Sequence, residues 1–240
     1  MKIILSPAKT FSKKQIISNQ SPFFEGDAIF LMNQLKKKSR HHIQISMKLS
    51  EKLTDQVMDD LVHFGKIKTE AIHTYEGQAF KSLDVSSLSD DDQSYMYDHL
   101  LILSGLYGIL KPRDGISKYR LEMQDKTIRN LYRYWKDKVH GYLKEYAADE
   151  PIINLASEEY GKLLSPDLPI IHLSMIEVKD GKDLKQSMAV KTMRGLCTRE
   201  IIKRKMKDID ELKTMMIGDY VYSKKRSTPH HVIYIKEVIS

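Results

Sequence analysis

Cysteine is nearly absent. Cys197 stands alone among 240 residues, which excludes an internal disulfide or a cysteine-built zinc site and fits a reducing, cytoplasmic setting. Long apolar runs are missing too. The opening Ile3-Ile4-Leu5 is cut off by Ser6 and Pro7, and nothing later approaches the roughly 18 apolar residues of a membrane span, so no membrane partner is expected. Glycine and proline are sparse, 11 and 7, and no Ser/Gly/Pro linker or internal repeat divides the chain. Nor does one sign of charge dominate. With 39 Lys+Arg interspersed among 32 Asp+Glu and 41% apolar residues, the composition is that of a folded chain. The nine histidines contain no HExxH, and the pairs His41-His42 and His230-His231 point their rings apart. No metal and no cofactor are therefore expected.

What charge asymmetry exists lies at the C-terminal end. Residues 191–240 carry 12 Lys+Arg against 6 Asp+Glu, whereas residues 1–190 carry 27 against 26. Such an excess favours an anionic partner, nucleic acid first, because cations gain by displacing counterions from phosphates. The cluster Lys36-Lys37-Lys38-Ser39-Arg40 is read more simply, as cations favoured at the end of a helix.

Strands and helices mix throughout. Apolar spacing predicts a strand at 3–5, a helix at 26–38, and a helix capped by Ser50 that buries Leu53, Val57, Met58, Leu61 and Phe64 before Gly65. Ser89 and Asp92 open another helix, followed by a buried strand at 100–103. Leu131, Trp135 and Val139 mark a long amphipathic helix over 129–147. A strand at 152–155 runs into a helix near Ser157, and 170–178 with 184–190 form a hairpin about Asp180-Gly181. Helices near 194–206 and 208–215 precede a last strand pair, 219–223 with 231–238. The expected fold is one mixed α/β domain spanning residues 1–240.

Five segments carry candidate chemistry. Ser6-Pro7-Ala8-Lys9-Thr10 sets a hydroxyl and an ammonium directly after a strand, where an anion can be held; a plain surface loop is the other reading. Leu103 to Pro112 contains Gly105 and Gly108, three apart, then Lys111. This resembles the tight glycine hairpin by which helix-hairpin-helix proteins bring backbone amides to a DNA phosphate, although a structural turn also accounts for it. Tyr119-Arg120-Leu121-Glu122-Met123 alternates, so that Arg120 and Glu122 share a strand face. Asn154, Ser157, Glu158 and Glu159 sit at a strand-to-helix junction, a frequent ligand position. Finally, Lys191 and Arg194 accumulate where a helix should begin, against the macrodipole, and Arg199, Lys203 and Lys207 then recur every four residues as a basic ridge.

In this order the five segments resemble the signature of the YaaA family, from the first residues to about 205. The resemblance implies a cytoplasmic peroxide-stress protein of the cantaloupe fold. It further implies DNA binding through a positively charged cleft with a helix-hairpin-helix element, and a link to damage by iron and peroxide. Ser6, Lys9, Tyr107, Arg120, Glu122, Asn154, Ser157, Lys191 and Arg194 stand where the family keeps its polar groups. Two departures are visible. Glu76-Gly77-Gln78 replaces the usual Glu-Gly-Asp, removing a carboxylate, and Lys118-Tyr119-Arg120 replaces Pro-Tyr-Arg.

The leading expectation is that Lys9, Arg120, Lys191, Arg194 and Arg199, with Lys111 near the glycine turn, neutralise DNA phosphates around one cleft. The alternative is an enzyme acting on a phosphorylated small molecule or nucleotide end, with Glu122 or Glu159 as general base. A narrow pocket favours the second, and a groove of duplex width the first.

Overall fold

The computed structural model describes residues 1–184 and 188–238. Its strands are β1 (Lys2–Leu5), β2 (Thr69–Glu70), β3 (Leu100–Ser104), β4 (Gly108–Leu110), β5 (Gly115–Ile116), β6 (Ile152–Asn154), β7 (Ile170–Lys179), β8 (Lys182–Asp183), β9 (Val221–Tyr222) and β10 (His231–Glu237). The helices are α1 (Glu25–Lys36), α2 (Arg40–Ser46), α3 (Glu51–His63), α4 (Ala71–Thr74), α5 (Gln78–Leu83), α6 (Asp90–His99), α7 (Leu131–Ala147), α8 (Glu158–Gly161), α9 (Met188–Arg204) and α10 (Ile209–Leu212).

The short apolar run of β1 makes sense once its neighbours are known. It lies between β3 and β6, parallel to both, with Ile4 opposite Leu101 on one side and Asn154 on the other. Ile3, Ile4 and Leu5 are accordingly buried on both faces. The sheet order is β4-β3-β1-β6-β7-β10-β9, with β8 paired to β7; β3, β1, β6, β7 and β10 run parallel, and β4, β8 and β9 are antiparallel at the margins. Numbered among themselves in chain order, the five parallel strands stand 2-1-3-4-5. The chain therefore leaves β1 towards one side and returns on the other, making the β1/β6 boundary the topological switch point. Crevices for ligands open there, beyond the carboxyl ends of the strands.

Helix signals match closely where capping is local. Ser50 accepts from the Leu53 N–H and Ser89 from the Asp92 N–H, starting α3 and α6. Trp135 on α7 is fully buried and donates its indole N–H to the Gly105 carbonyl at 2.9 Å. Leu53 is an exception, exposed on α3 instead of buried. Arg40 does not end α1; Ser39 caps a separate α2, and Arg40 bonds Glu51 and Asp55 of α3.

Three expectations change near the C-terminus. The hairpin at Asp180-Gly181 forms, but its second strand is only Lys182–Asp183; of the expected strand at 184–190, residues 185–187 lie outside the described residues and 188–190 are helical. Helix α9 thus begins at Met188, six residues before the expected start, so Lys191 closes its first turn and Arg194 lies in its second. The conflict with the helix dipole is removed for Arg194. The basic ridge does not form either. Lys205 adopts φ 48° just past α9, which leaves Lys207 off the helix.

The glycine segment forms a structural turn, one of its two expected readings. Gly105 and Gly108 join β3 to antiparallel β4 and are buried, with the Leu106 and Tyr107 N–H groups donating to Ser104 Oγ at 3.2 and 2.9 Å. A Cβ on Gly105 would come within 2.3 Å of the Leu121 carbonyl oxygen, and one on Gly108 within 2.5 Å of the Trp135 ring. The glycines permit dense packing here. The Leu106 and Tyr107 amides of the turn are taken up by Ser104. Among the described residues, no helix is long and apolar enough to cross a membrane.

Candidate anion-binding site

At the switch point lies a pocket of about 430 Å³. Ser6 to Thr10 leave the end of β1, Leu155 and Ser157 the end of β6, Tyr119 to Glu122 cross one wall, and Lys191 and Arg194 of α9 overhang it. Ser6, Lys9, Arg120, Glu122, Ser157, Lys191 and Arg194, far apart in sequence, therefore meet around one space. Ser6 and Ser157 fix its floor. Ser6 Oγ accepts from the Ser157 N–H at 2.7 Å and lies 3.2 Å from Ser157 Oγ, to which it donates.

Helix α9 reaches this position because it carries Gly195. A Cβ there would lie 2.0 Å from the Ala79 carbonyl oxygen, so the missing side chain lets α9 cross α5 in direct backbone contact. The start of α5 meets the β1 loop in the same way, since a Cβ on Gly77 would lie 2.8 Å from Ala8 Cβ. Two close approaches thus fix α9, α5 and the β1 loop around the pocket.

The charges within it are not alike. Lys9 Nζ pairs with Glu122 Oε2 at 2.5 Å, and Arg120 donates to the Lys9 carbonyl at 3.4 Å. By contrast, no carboxylate among the described residues lies within ion-pair distance of Lys191 or Arg194. Arg194 is largely buried, and desolvation alone lowers its guanidinium pKa, with no compensating anion. A buried cation without a partner is costly, and a bound anion removes that cost.

Two acids sit close by with shifted protonation. Burial raises Glu159, with Glu122 adding to the shift; its carboxylate accepts from the Gln124 N–H at 3.1 Å. Burial likewise pushes Asp125 up to about 6, although Asp125 accepts from the Glu122 N–H at 2.8 Å. Beneath the wall, the Tyr119 hydroxyl lies 2.8 Å from that of Tyr75 and 2.7 Å from Ser104 Oγ, and burial pushes its pKa up to about 12. Tyr119 therefore stays protonated and anchors the segment carrying Arg120 and Glu122.

Four expected site residues lie elsewhere. Tyr107 is buried behind Tyr119, its hydroxyl accepting from the Ser117 N–H at 3.1 Å. Lys111 stands 4.8 Å over the Tyr146 ring, in a different cavity that it shares with Phe23 and Asp114. Arg199 donates to the Leu83 and Asp84 carbonyls at 2.8 and 2.9 Å, closing the end of α5. Asn154 lines an adjoining pocket. Much of the C-terminal basic excess is consumed as well: Arg204, Lys205, Lys213, Arg226 and Lys236 all pair with carboxylates.

Gln78 and Tyr160 line the pocket without having been read as site residues. Gln78 stands at the departure from Glu-Gly-Asp, which was the available signal; for Tyr160, next to the glutamates, only folding supplies one.

The pocket is built from the segments that carry the family resemblance. The family described as peroxide stress protein YaaA matches residues 1–226. The chain belongs to the YaaA peroxide stress family. Members similar to it include a UPF0246 protein of Finegoldia magna, 35% identical with all of both chains covered. Another, from Clostridium beijerinckii, is 34% identical over 99% of this chain and 98% of its own. A third, from Ligilactobacillus salivarius, is 33% identical over 98% and 100%. YaaA membership supports a peroxide-stress role.

Proposed function

We propose that this YaaA-family protein acts in peroxide stress by binding DNA at the switch-point pocket, taking one unpaired or terminal nucleotide by its phosphate. The observation that carries this reading is Arg194: a largely buried guanidinium, lacking a carboxylate partner among the described residues, that lines a pocket sized for a small ligand. About 430 Å³ fits a nucleotide and not a duplex. Duplex binding through a broad basic cleft has less support, because Lys111 and Arg199 lie outside the pocket. The cantaloupe architecture implied by the resemblance belongs to this reading. Its helix-hairpin-helix element has no counterpart at Gly105 to Gly108, so the proposal assigns DNA contact to the pocket.

The mechanism is capture of a phosphate. Arg194 and Lys191 supply unpaired positive charge from one side, and Arg120 and Lys9 from the other. The ammonium of Lys9, held by Glu122, exchanges part of that ion pair for the incoming phosphate. Few groups are placed to read base edges, so binding is weakly sequence-specific. Fluorescence anisotropy on single-stranded, gapped and blunt duplex oligonucleotides at several salt concentrations tests this. Single-stranded and gapped DNA should bind more tightly than blunt duplex, with a log-log salt slope of about −0.7 per phosphate contact on single strands. Equal affinity for blunt duplex, or unchanged affinity in the double variant Lys191→Ala plus Arg194→Ala, overturns the proposal.

A second reading rests on Glu159, which lines the pocket beside its cations and whose carboxyl pKa burial raises. In that reading the ligand is a free phosphorylated small molecule and Glu159 is a general base. Turnover of such a substrate that is lost in Glu159→Gln while binding persists would favour it.

A further inference from the structure

Arg194 and Ser157 line two pockets. The second, about 340 Å³, opens on the other side of Arg194 between the end of β6 and the paired strands β7 and β10. Its wall is built by strand register: His231 on β10 stands opposite His172 on β7, and Asn154 on β6 opposite His172 as well. The two imidazole rings are 6.0 Å apart.

Hydrogen bonding fixes which atoms can donate. The Ala156 N–H donates to Asn154 Oδ1 at 2.9 Å, which identifies that atom as the oxygen and leaves Nδ2 as a donor only. Asn154 Nδ2 lies 3.0 Å from His172 Nδ1, so that nitrogen accepts, and the neutral ring carries its proton on Nε2. His172 is exposed, and its Nε2–H is not consumed by a partner among the described residues. His231 Nε2 bonds Ser174 Oγ at 2.8 Å, which ties the second ring to β7.

The remaining charges favour an anion. Lys162 and Arg194 are its cations, and its carboxylate is the exposed Glu158, already 3.7 Å from Lys162. Burial and the neighbouring His172 both lower the pKa of His231, a bias against protonation that an arriving anion would reverse.

We propose that this second pocket is a phosphate subsite, with Arg194 shared between it and the first pocket, so that one ligand carrying two phosphates straddles the arginine. This deepens the proposed function and rests on it. The second phosphate is that of the adjoining nucleotide in a strand or the outer phosphate of a nucleoside diphosphate. His172 donates to it through Nε2, and Lys162 faces it from α8's end.

Calorimetric titration of the full chain with 5′-thymidine monophosphate, the 5′-phosphorylated thymidine dinucleotide and thymidine diphosphate tests this, with melting curves to verify that each variant folds. The wild type should bind one of the two-phosphate probes about tenfold more tightly than the monophosphate, as expected for one charge-assisted contact. A gain with the dinucleotide assigns the second phosphate to a strand, and a gain with the diphosphate assigns it to a free nucleotide. The double variant His172→Gln plus His231→Gln should lose that gain and keep the monophosphate affinity. The wild-type gain should also grow from pH 8 to pH 6 and stay flat in the variant. No gain with either two-phosphate probe, or equal weakening of all three probes in the variant, overturns the subsite alone. Failure of the monophosphate to bind overturns the proposed function and the subsite together.

Discussion

The loop after β1 and the turn after β3 leave neighbouring parallel strands at the same end of the sheet, and a serine stands at each exit, Ser6 opening the loop and Ser104 ending β3. Ser6 stands in the open pocket, bonded to Ser157 across the β1/β6 boundary. Ser104 is fully buried, its hydroxyl consumed by Tyr119 and by the Leu106 and Tyr107 N–H groups. One exit is kept for a ligand. The other is sealed by packing. The difference follows from the switch point: β1 and β6 diverge into separate connections, whereas β3 turns straight back into β4 under Trp135.

The strongest way to break this comparison is to disturb the sealed side. Gly105→Ala drives a methyl group against the Leu121 backbone and should destabilise the fold by about 3 kcal/mol, lowering Tm by roughly 6–12 °C. An unchanged melting curve would show that the turn is not tightly packed. Arg194→Ala probes the open side. It should weaken phosphate binding about a hundredfold while leaving Tm unchanged or raised, because a desolvated charge is removed. A large fall in Tm would instead mark Arg194 as structural.

Paired serine variants sharpen the contrast. Ser104→Ala leaves the Leu106 and Tyr107 amides and the Tyr119 hydroxyl short of a partner and should cost about 2 kcal/mol in denaturant unfolding. Ser6→Ala, beside an open pocket, should cost about 1 kcal/mol or less. Equal costs would erase the distinction between the two exits.

The smallest expected effect is on pH dependence. Burial raises the Asp125 pKa from 3.8 to about 6, so the folded chain holds that proton more tightly than the unfolded one. The stability this contributes is complete below about 4 and is lost as pH rises through about 6. Asp125→Asn should therefore flatten the decline in stability between pH 4 and 6, leaving the shares of Asp60 and Asp114, which burial also pushes up to about 6. A steeper decline would contradict the sign.

How much of this was legible depended on range. α3, α6 and α7 follow from spacing and from caps such as Ser50 and Ser89, because both kinds of signal act within a few residues. The segments holding Ser6, Arg120, Ser157 and Arg194 were visible as polar groups beside strand ends and glycines. Tyr107, Lys111 and Arg199 stood in the same segments and are used otherwise: as core, as a cation over Tyr146, and as a cap on α5. Their side-chain types carry no information about direction. His172 and His231 gave no signal, since what joins them is the register of two strands 59 residues apart.

Composition and local pattern alone determined a folded α/β chain, the principal helices and a buried β1. These depend on burial frequency, helical periodicity and capping, which are properties of short stretches. Only the tertiary structure decided which cations remain unpaired. Pairing depends on where distant carboxylates arrive, and among the described residues partners reach Lys205, Arg226 and Lys236 while none reaches Arg194.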